Sequence, residues 1–169
     1  REECKWLDEL CDHVKGLSPD LIFLTGDVVT RGWTNAAVSQ FLSALPEATM
    51  GSFAILGNWE HWTDATADVW GPLLKAHGVR LLVNERVDFP HFTLIGTDDH
   101  LAGTWEPQAI CSQLPEKPTI ALTHSPGAFN QLCAFPINLT LAGHAHGGQI
   151  RMPLFGPLWT PKGTDGYIS

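Results

Sequence analysis

Short apolar runs recur along the chain, and each is followed two or three residues later by a polar side chain that can bind a metal ion. The four pairs are Leu21–Leu24 with Asp27, Phe53–Leu56 with Asn58, Ile120–Leu122 with His124, and Leu139–Ala142 with His144. Short, continuously apolar runs are typical of strands buried on both faces. The pattern therefore predicts a sheet whose strands each end beside a candidate functional residue.

Helical patterns separate these strands. Trp6, Leu10, Val14 and Leu17 recur at helical spacing and predict a helix over residues 1–16. Further helices are predicted over 35–45, from Thr63 or Asp64 to 77, over 106–114 and over 126–133, with short strands over 79–83, 87–89 and 92–95. Buried strands that alternate with helices favour an α/β fold built on a largely parallel sheet with both faces covered.

The residues that follow the strands form one chemical set. The carboxyl ends of parallel strands share one edge of a sheet, so we expect these side chains to meet there. They comprise one carboxylate, one amide and three imidazoles: Asp27, Asn58, His124, His144 and His146. Mixed oxygen and nitrogen donors without thiolate favour manganese, iron or zinc. Two such ions about 4 Å apart can bind a phosphoryl group and supply a hydroxide nucleophile.

Composition narrows the classes of function. The 169 residues predict a single domain, and the formal net charge of −8 argues against binding of a nucleic-acid polymer. No apolar run reaches the roughly 18–20 residues that a membrane-spanning helix needs. The four cysteines, at positions 4, 11, 111 and 133, lack CxxC spacing and are expected to be free thiols.

Four ordered motifs resemble those of the calcineurin-like metallophosphoesterases: Gly26-Asp27, Gly57-Asn58-x-Glu60, Thr123-His124 and Gly143-His144-x-His146. The tail over residues 147–153 is similar to the bacterial branch of membrane-associated phosphoesterases. The resemblance implies an αββα sandwich of two mixed sheets flanked by helices, and a dinuclear metal site. It also implies that Asp27 bridges the two ions, that Asn58, His124 and His144 bind one of them, and that His146 binds the other.

The resemblance implies hydrolysis of a phosphodiester or pyrophosphate bond through a metal-bound hydroxide. Asn58 and His144 are then expected to steady the phosphoryl oxygens. Five tryptophans lie in or near the loops after the strands: Trp33, Trp59, Trp62, Trp105 and Trp159. We expect them either to pack these loops against one another or to form an aromatic rim around the substrate site. With such a rim, we expect a phosphoester whose leaving group is apolar or nucleotide-like. The branch implies a cytoplasmic or peripheral-membrane protein of bacterial type.

One departure from the family pattern is the missing Asp-x-His motif, which should precede the first helix. The expectation is a domain over residues 1–169 that lacks the first strand and is incomplete at both termini. Exposed sheet edges would then favour a homo-oligomer. The first metal would keep only His146 and a share of Asp27. The family usually binds two ions, and this chain is expected to bind one. Asp98-Asp99-His100 contains an Asp-x-His, either as a replacement or as an ordered loop.

The other departure lies in the asparagine motif. Trp59 stands where the family usually has a histidine that protonates the leaving group, and an indole cannot serve as a general acid near neutral pH. His61, two residues further on, is the candidate catalytic acid, or else an ordinary loop histidine.

Two alternatives stay open at this point. The chain could be a non-catalytic or mononuclear metal-binding domain, because the first motif is missing. It could also belong to another metallohydrolase class that uses His-x-His. A β-lactamase-like hydrolase would need Asp-His soon after the pair, where Gly147-Gly148-Gln149 stands. An amidohydrolase would place the pair near its first strand.

Overall fold

The computed structural model describes residues 2–148, 150–152 and 156–168. Its helices are α1 (Glu2–Gly16), α2 (Asn35–Ala44), α3 (Asn58–Trp62), α4 (Ala67–Ala76), α5 (Pro107–Cys111) and α6 (Phe129–Leu132), the last preceded by a 3-10 turn (Pro126–Ala128). Its strands are β1 (Ile22–Leu24), β2 (Ser52–Ala54), β3 (Val79–Leu81), β4 (Glu85–Asp88), β5 (Thr93–Gly96), β6 (Thr119–Thr123), β7 (Leu139–Ala142), β8 (Arg151–Met152) and β9 (Gly156–Pro157).

The strands form two main sheets and a small hairpin. The first sheet has the order β1-β2-β3 and is parallel throughout, with Phe23 opposite Phe53. The second has the order β4-β5-β6-β7, in which β4 runs antiparallel to β5 and the other pairs are parallel. β8 and β9 pair as an antiparallel two-stranded hairpin.

Three clusters of apolar side chains hold the sheets and helices together. Side chains from both sheets, including Phe53, Leu94 and Leu122, pack against one another between the sheets. The outer face of the first sheet packs against α2 and α4 through residues such as Leu42 and Trp70. A third cluster, which contains Cys111 and Leu132, covers the outer face of the second sheet with α5 and α6. The order of layers is therefore helix, sheet, sheet, helix.

The expected α/β fold with two sheets flanked by helices is confirmed, and of the two main sheets only the second contains an antiparallel pair. Two of the differences from the sequence prediction lie around α3. A separate helix, α3, occupies 58–62, and α4 follows Thr66 rather than Thr63 or Asp64. The Thr63 hydroxyl donates to the Trp59 carbonyl, so this residue closes α3 instead of opening α4.

Two further expectations concern the cysteines and the membrane-spanning potential of the helices. Cys11, Cys111 and Cys133 are free thiols, and burial raises the pKa of Cys111 to about 11. No helix among the described residues is both long enough and apolar enough to cross a bilayer.

Candidate metal centre

Strands of both sheets deliver the candidate metal ligands to one place. Asp27 follows β1 and Asn58 follows β2 in the first sheet, whereas His124 follows β6 and His144 follows β7 in the second. β1 and β2 are adjacent, and so are β6 and β7. The carboxyl ends of these four parallel strands therefore face one another across the inter-sheet core.

The Nε2 atom of His124 lies at the centre of the cluster. It is 3.2 Å from Asp27 Oδ2, 3.1 Å from Asn58 Oδ1 and 3.1 Å from His144 Nδ1. The His124 side chain is fully buried. One imidazole nitrogen carries at most one proton and cannot satisfy three such neighbours through hydrogen bonds alone. Four electron-pair donor atoms this close together are suited to binding a cation.

Backbone carbonyls fix the orientation of both histidines. His124 donates from Nδ1 to the Thr25 carbonyl at 2.7 Å, and His144 donates from Nε2 to the Lys162 carbonyl at 2.7 Å. Each ring therefore points its other nitrogen into the cluster. Such outer partners commonly hold metal-binding imidazoles in the correct tautomer.

The electrostatics of the cluster favour a shared proton or a cation between Asp27 and His124. Burial disfavours the Asp27 carboxylate, but hydrogen bonds from His124 and the Trp59 N–H outweigh it and lower the pKa of Asp27. Burial also opposes a charge on His124, yet its hydrogen bonds to Asp27 and the Thr25 carbonyl raise the pKa of His124. Burial, reinforced by the charge of His124, lowers the pKa of His144 despite the Lys162 carbonyl.

Asp27, His124 and His144 offer ligand atoms that lie within 4.8 Å of one another, so these residues can hold a metal ion. Asn58 adds an amide oxygen beside the same nitrogen. Within the described part of the chain, His146 is not part of this close cluster, but it is exposed and lines the same cavity as Asp27, Asn58 and His144. The donor set is the oxygen and nitrogen mixture that catalytic manganese, iron and zinc sites use.

The backbone at the site adopts uncommon conformations. Asp27, His144 and His146 have positive φ angles of 56°, 60° and 51°. A left-handed conformation costs a non-glycine residue roughly 1–2 kcal/mol. Strain of this kind concentrates at functional sites, where the surrounding structure holds it in place.

Two glycines allow the loops after β1 and β2 to meet. A Cβ atom on Gly26 would lie 2.6 Å from the Gly57 nitrogen and 2.7 Å from His124 Nδ1. A Cβ atom on Gly57 would collide with the Asp27 carboxylate and would lie 2.8 Å from His124 Cε1. Larger residues at either position would push the ligands apart.

Glu60 fastens these loops together, a role that the sequence did not reveal. Its fully buried carboxylate accepts the N–H groups of Asp27, Val28 and Gly57 at 2.8 Å each and that of Val29 at 3.3 Å. Four backbone donors thus converge on one side chain. The only signal in the sequence is its place in the Gly57-Asn58-x-Glu60 motif.

His61 contacts Asp98 and is not among the described residues that line the cavity. Its Nε2 lies 2.6 Å from Asp98 Oδ1, and the cavity wall is formed by its neighbours Asn58, Trp59 and Trp62. Asp98 also accepts the Thr104 N–H at 2.7 Å. The structure therefore places the His61 ring in contact with the loop after β5.

The loop 98–100 is an ordered segment beside the site. Asp99 is fully buried, and its carboxylate accepts the Ser125 hydroxyl at 2.9 Å and the Ala102 N–H at 2.9 Å. His100 packs edge-on against Trp105. Asp98 and Asp99 thus make hydrogen bonds that shape the loop, and neither they nor His100 lines the cavity among the described residues.

A cavity of about 620 Å³ opens beside the cluster. Its wall combines the polar residues Asp27, Asn58, His144, His146 and Lys162 with the apolar residues Trp59, Trp62, Leu101, Ala145, Ile150, Trp159 and Pro161. Trp59 and Trp62 pack edge to face with centroids 5.6 Å apart. Trp33 instead packs against Trp70 in the core. Three of the five tryptophans in the predicted rim therefore line this cavity.

A two-sheet α/β fold with an aspartate, an asparagine and histidines at the carboxyl ends of its strands defines a class of metal-dependent hydrolases. Residues 4–148 match the family described as calcineurin-like phosphoesterase. The chain belongs to this family.

Curated relatives agree with the family. The chain is 34% identical over 152 residues to the uncharacterized metallophosphoesterase YkuE of Bacillus subtilis, which covers 85% of this chain and 52% of that protein. It is 33% identical to the phosphodiesterase YaeI of Escherichia coli, over 89% of this chain and 57% of that protein. It is 26% identical to the UDP-2,3-diacylglucosamine pyrophosphatase LpxG of Chlamydia trachomatis, over 88% of this chain and 60% of that protein. The matched region thus spans little more than half the length of these relatives.

Proposed function

We propose that the chain hydrolyses a phosphodiester or pyrophosphate bond with divalent metal ions held by Asp27, Asn58, His124, His144 and His146. The observation that supports it most is the meeting of Asp27, Asn58 and His144 around His124 Nε2, at the edge of a cavity large enough for a substrate. Bound metal ions would supply charge that activates water and stabilises the phosphoryl group.

The protein's own residues would position the substrate in this proposal. Asn58 and His144 line the cavity and can steady phosphoryl oxygens. Glu60 holds the loops that present Asp27 and Asn58. The apolar wall formed by Trp59, Trp62 and Trp159 suits a leaving group with an apolar or nucleotide-like face, because indoles offer large flat surfaces for stacking.

The assignment of His61 as the general acid remains a prediction from the sequence. The contact with Asp98 would hold the ring in one orientation. Asp27, which is hydrogen-bonded to His124, borders the cavity directly, whereas His61 does not line it within the described residues.

The test combines metal content with turnover. Purified protein is loaded with Mn²⁺, Zn²⁺ or Fe²⁺, its metal content is measured by elemental analysis, and hydrolysis of a bis-aryl phosphate is followed. The variant Asp27→Asn should lose turnover and metal, whereas His91→Ala, which changes an exposed histidine, should match the unmodified protein. One bound ion without turnover under any metal would favour the alternative of a mononuclear, non-catalytic domain.

Peripheral association with membranes and self-association through sheet edges are further parts of the proposal. β1 and β7 lie at edges of their sheets among the described strands, and Leu139 on β7 is 48% exposed. Edge strands of this kind can pair with another chain. Molecular mass in solution and sedimentation with anionic vesicles would test the two ideas separately.

A further inference from the structure

Lys162 is a cation in the cavity wall that the proposed chemistry does not use. It lines the cavity together with Asp27, Asn58 and His144, and it is the only lysine or arginine among the described residues that does so. Within the ranges that the structure describes, no carboxylate oxygen lies within 4.0 Å of its ammonium group. Lys15, Arg31 and Lys75 also make no ion pair among the described residues, but they do not line this cavity, so Lys162 is distinguished by its position.

The backbone around Lys162 is fixed to the metal centre. The Lys162 carbonyl accepts the His144 Nε2–H at 2.7 Å, and the adjacent Gly163 carbonyl accepts the Gly127 N–H at 2.6 Å. Further along, Asp165 accepts from Asn130 at 3.0 Å. The lysine side chain therefore begins one hydrogen bond away from a candidate metal ligand, on a segment that is bonded to the 3-10 turn and to α6, which follow β6.

The surroundings of Lys162 favour substrates that bring an anionic oxygen to its ammonium group. Trp159 and Pro161, which precede Lys162 in the chain, are apolar, as are seven of the twelve described residues that line the cavity. Lys162 is exposed, and a substrate that contacts its ammonium group would remove part of the water around it. That loss is costly unless the substrate brings an anionic oxygen to replace the water. Binding of a substrate that lacks such an oxygen is disfavoured.

We propose that Lys162 determines specificity by binding a second anionic group of the substrate, next to the phosphoryl group that is hydrolysed. This inference rests on the proposed function, in which the metal centre holds the first phosphoryl group. It means that the site favours substrates with two adjacent negative charges, such as esters of pyrophosphate, over simple phosphodiesters with one charge.

The test compares two probes that differ in charge. Dimethyl phosphate carries one negative charge. P1,P2-dimethyl methylenediphosphonate carries two and cannot be cleaved at its bridging carbon. Binding of each to the Mn²⁺-loaded protein is followed by tryptophan fluorescence at fixed ionic strength, since Trp59, Trp62 and Trp159 line the cavity. The measurement does not depend on turnover.

The unmodified protein should bind the diphosphonate at least about tenfold more tightly than dimethyl phosphate, a ratio typical of one added charge-assisted contact. Lys162→Met should abolish that preference while metal content stays unchanged, and Lys162→Arg should keep most of it. Lys75→Met removes an exposed lysine of α4 and serves as the matched control.

Several results would overturn the inference. The first is that Lys162→Met prefers the diphosphonate as strongly as the unmodified protein does. The second is that the unmodified protein binds both probes equally well. The third is that Lys75→Met also loses the preference for the diphosphonate. If Lys162→Met does not fold by circular dichroism, Lys162→Gln replaces it under the same criteria. A lysine-dependent preference in a protein that hydrolyses no phosphoester would support the inference and refute the proposed function, so the two can fail separately.

Discussion

Replacing Glu60 by glutamine should destabilise the protein strongly, although the two side chains have nearly the same shape. One carboxylate oxygen of Glu60 accepts from Asp27 and Gly57, and the other accepts from Val28 and Val29. The glutamine amide keeps one acceptor oxygen and places an NH₂ group where the second one was. Two backbone N–H groups then face a donor.

The magnitude follows from the two hydrogen bonds that the substitution removes. Each hydrogen bond to a charged group contributes about 1.5–3 kcal/mol, so two of them amount to about 3–6 kcal/mol. Removing a fully buried charge offsets part of that cost, because the carboxylate of Glu60 was itself desolvated. We expect a net loss of about 3 kcal/mol, which for a domain of this size lowers Tm by about 6–12 °C.

The assay is urea unfolding of the metal-free proteins, followed by circular dichroism, with the free energy of unfolding extrapolated to water. Glu116→Gln makes the same chemical change at an exposed position and should lie within about 0.5 kcal/mol of the unmodified protein. A Glu60→Gln protein that is as stable as this control would refute the argument that Glu60 clamps the two loops.

Three further outcomes are expected at the metal centre. His124→Ala and His144→Ala should lower metal content together with turnover, unlike the surface control His91→Ala; full metal content in either would exclude that ligand. His61→Ala should lower turnover with the metal retained, and an unchanged rate at every pH would remove His61 from the mechanism. Burial disfavours a charged His124, but its hydrogen bond to Asp27 raises its pKa above the ordinary value. A proton therefore competes with the metal, and Mn²⁺ affinity measured by calorimetry should fall as the pH is lowered through that raised pKa. An affinity that does not change with pH would contradict this.

The candidate ligands were predictable from the sequence because they depend on a pattern that the chain itself carries. Buried strands are recognisable as apolar runs, and the carboxyl ends of parallel strands must share an edge. Asp27, Asn58, His124 and His144 follow such runs, and the structure brings these four side chains together. Their order along the chain and their place after each strand were enough to predict that meeting.

The supporting contacts were not predictable in the same way. Backbone carbonyls of Thr25 and Lys162 orient the histidines, and every residue has such a carbonyl, so its identity carries no signal. The pairing of His61 with Asp98 joins residues 37 positions apart, one in α3 and the other in the loop after β5. The hairpin of β8 and β9 has only two residues per strand, too few for any periodicity to show.

His124 connects the two sheets as well as the ligands. Its ring follows β6 of the second sheet, while its Nδ1–H reaches the Thr25 carbonyl just after β1 of the first. Its own carbonyl accepts the Gly143 N–H at 3.0 Å and so ties in the strand that leads to His144. A ligand that also joins the sheets links metal binding to the stability of the whole fold, since an ion that binds only the folded state stabilises it. His144, by contrast, is half-buried and bonds to Lys162 at the rim. Loss of His124 should therefore weaken the metal-free fold as well as the metal site, whereas loss of His144 should act mainly on the metal.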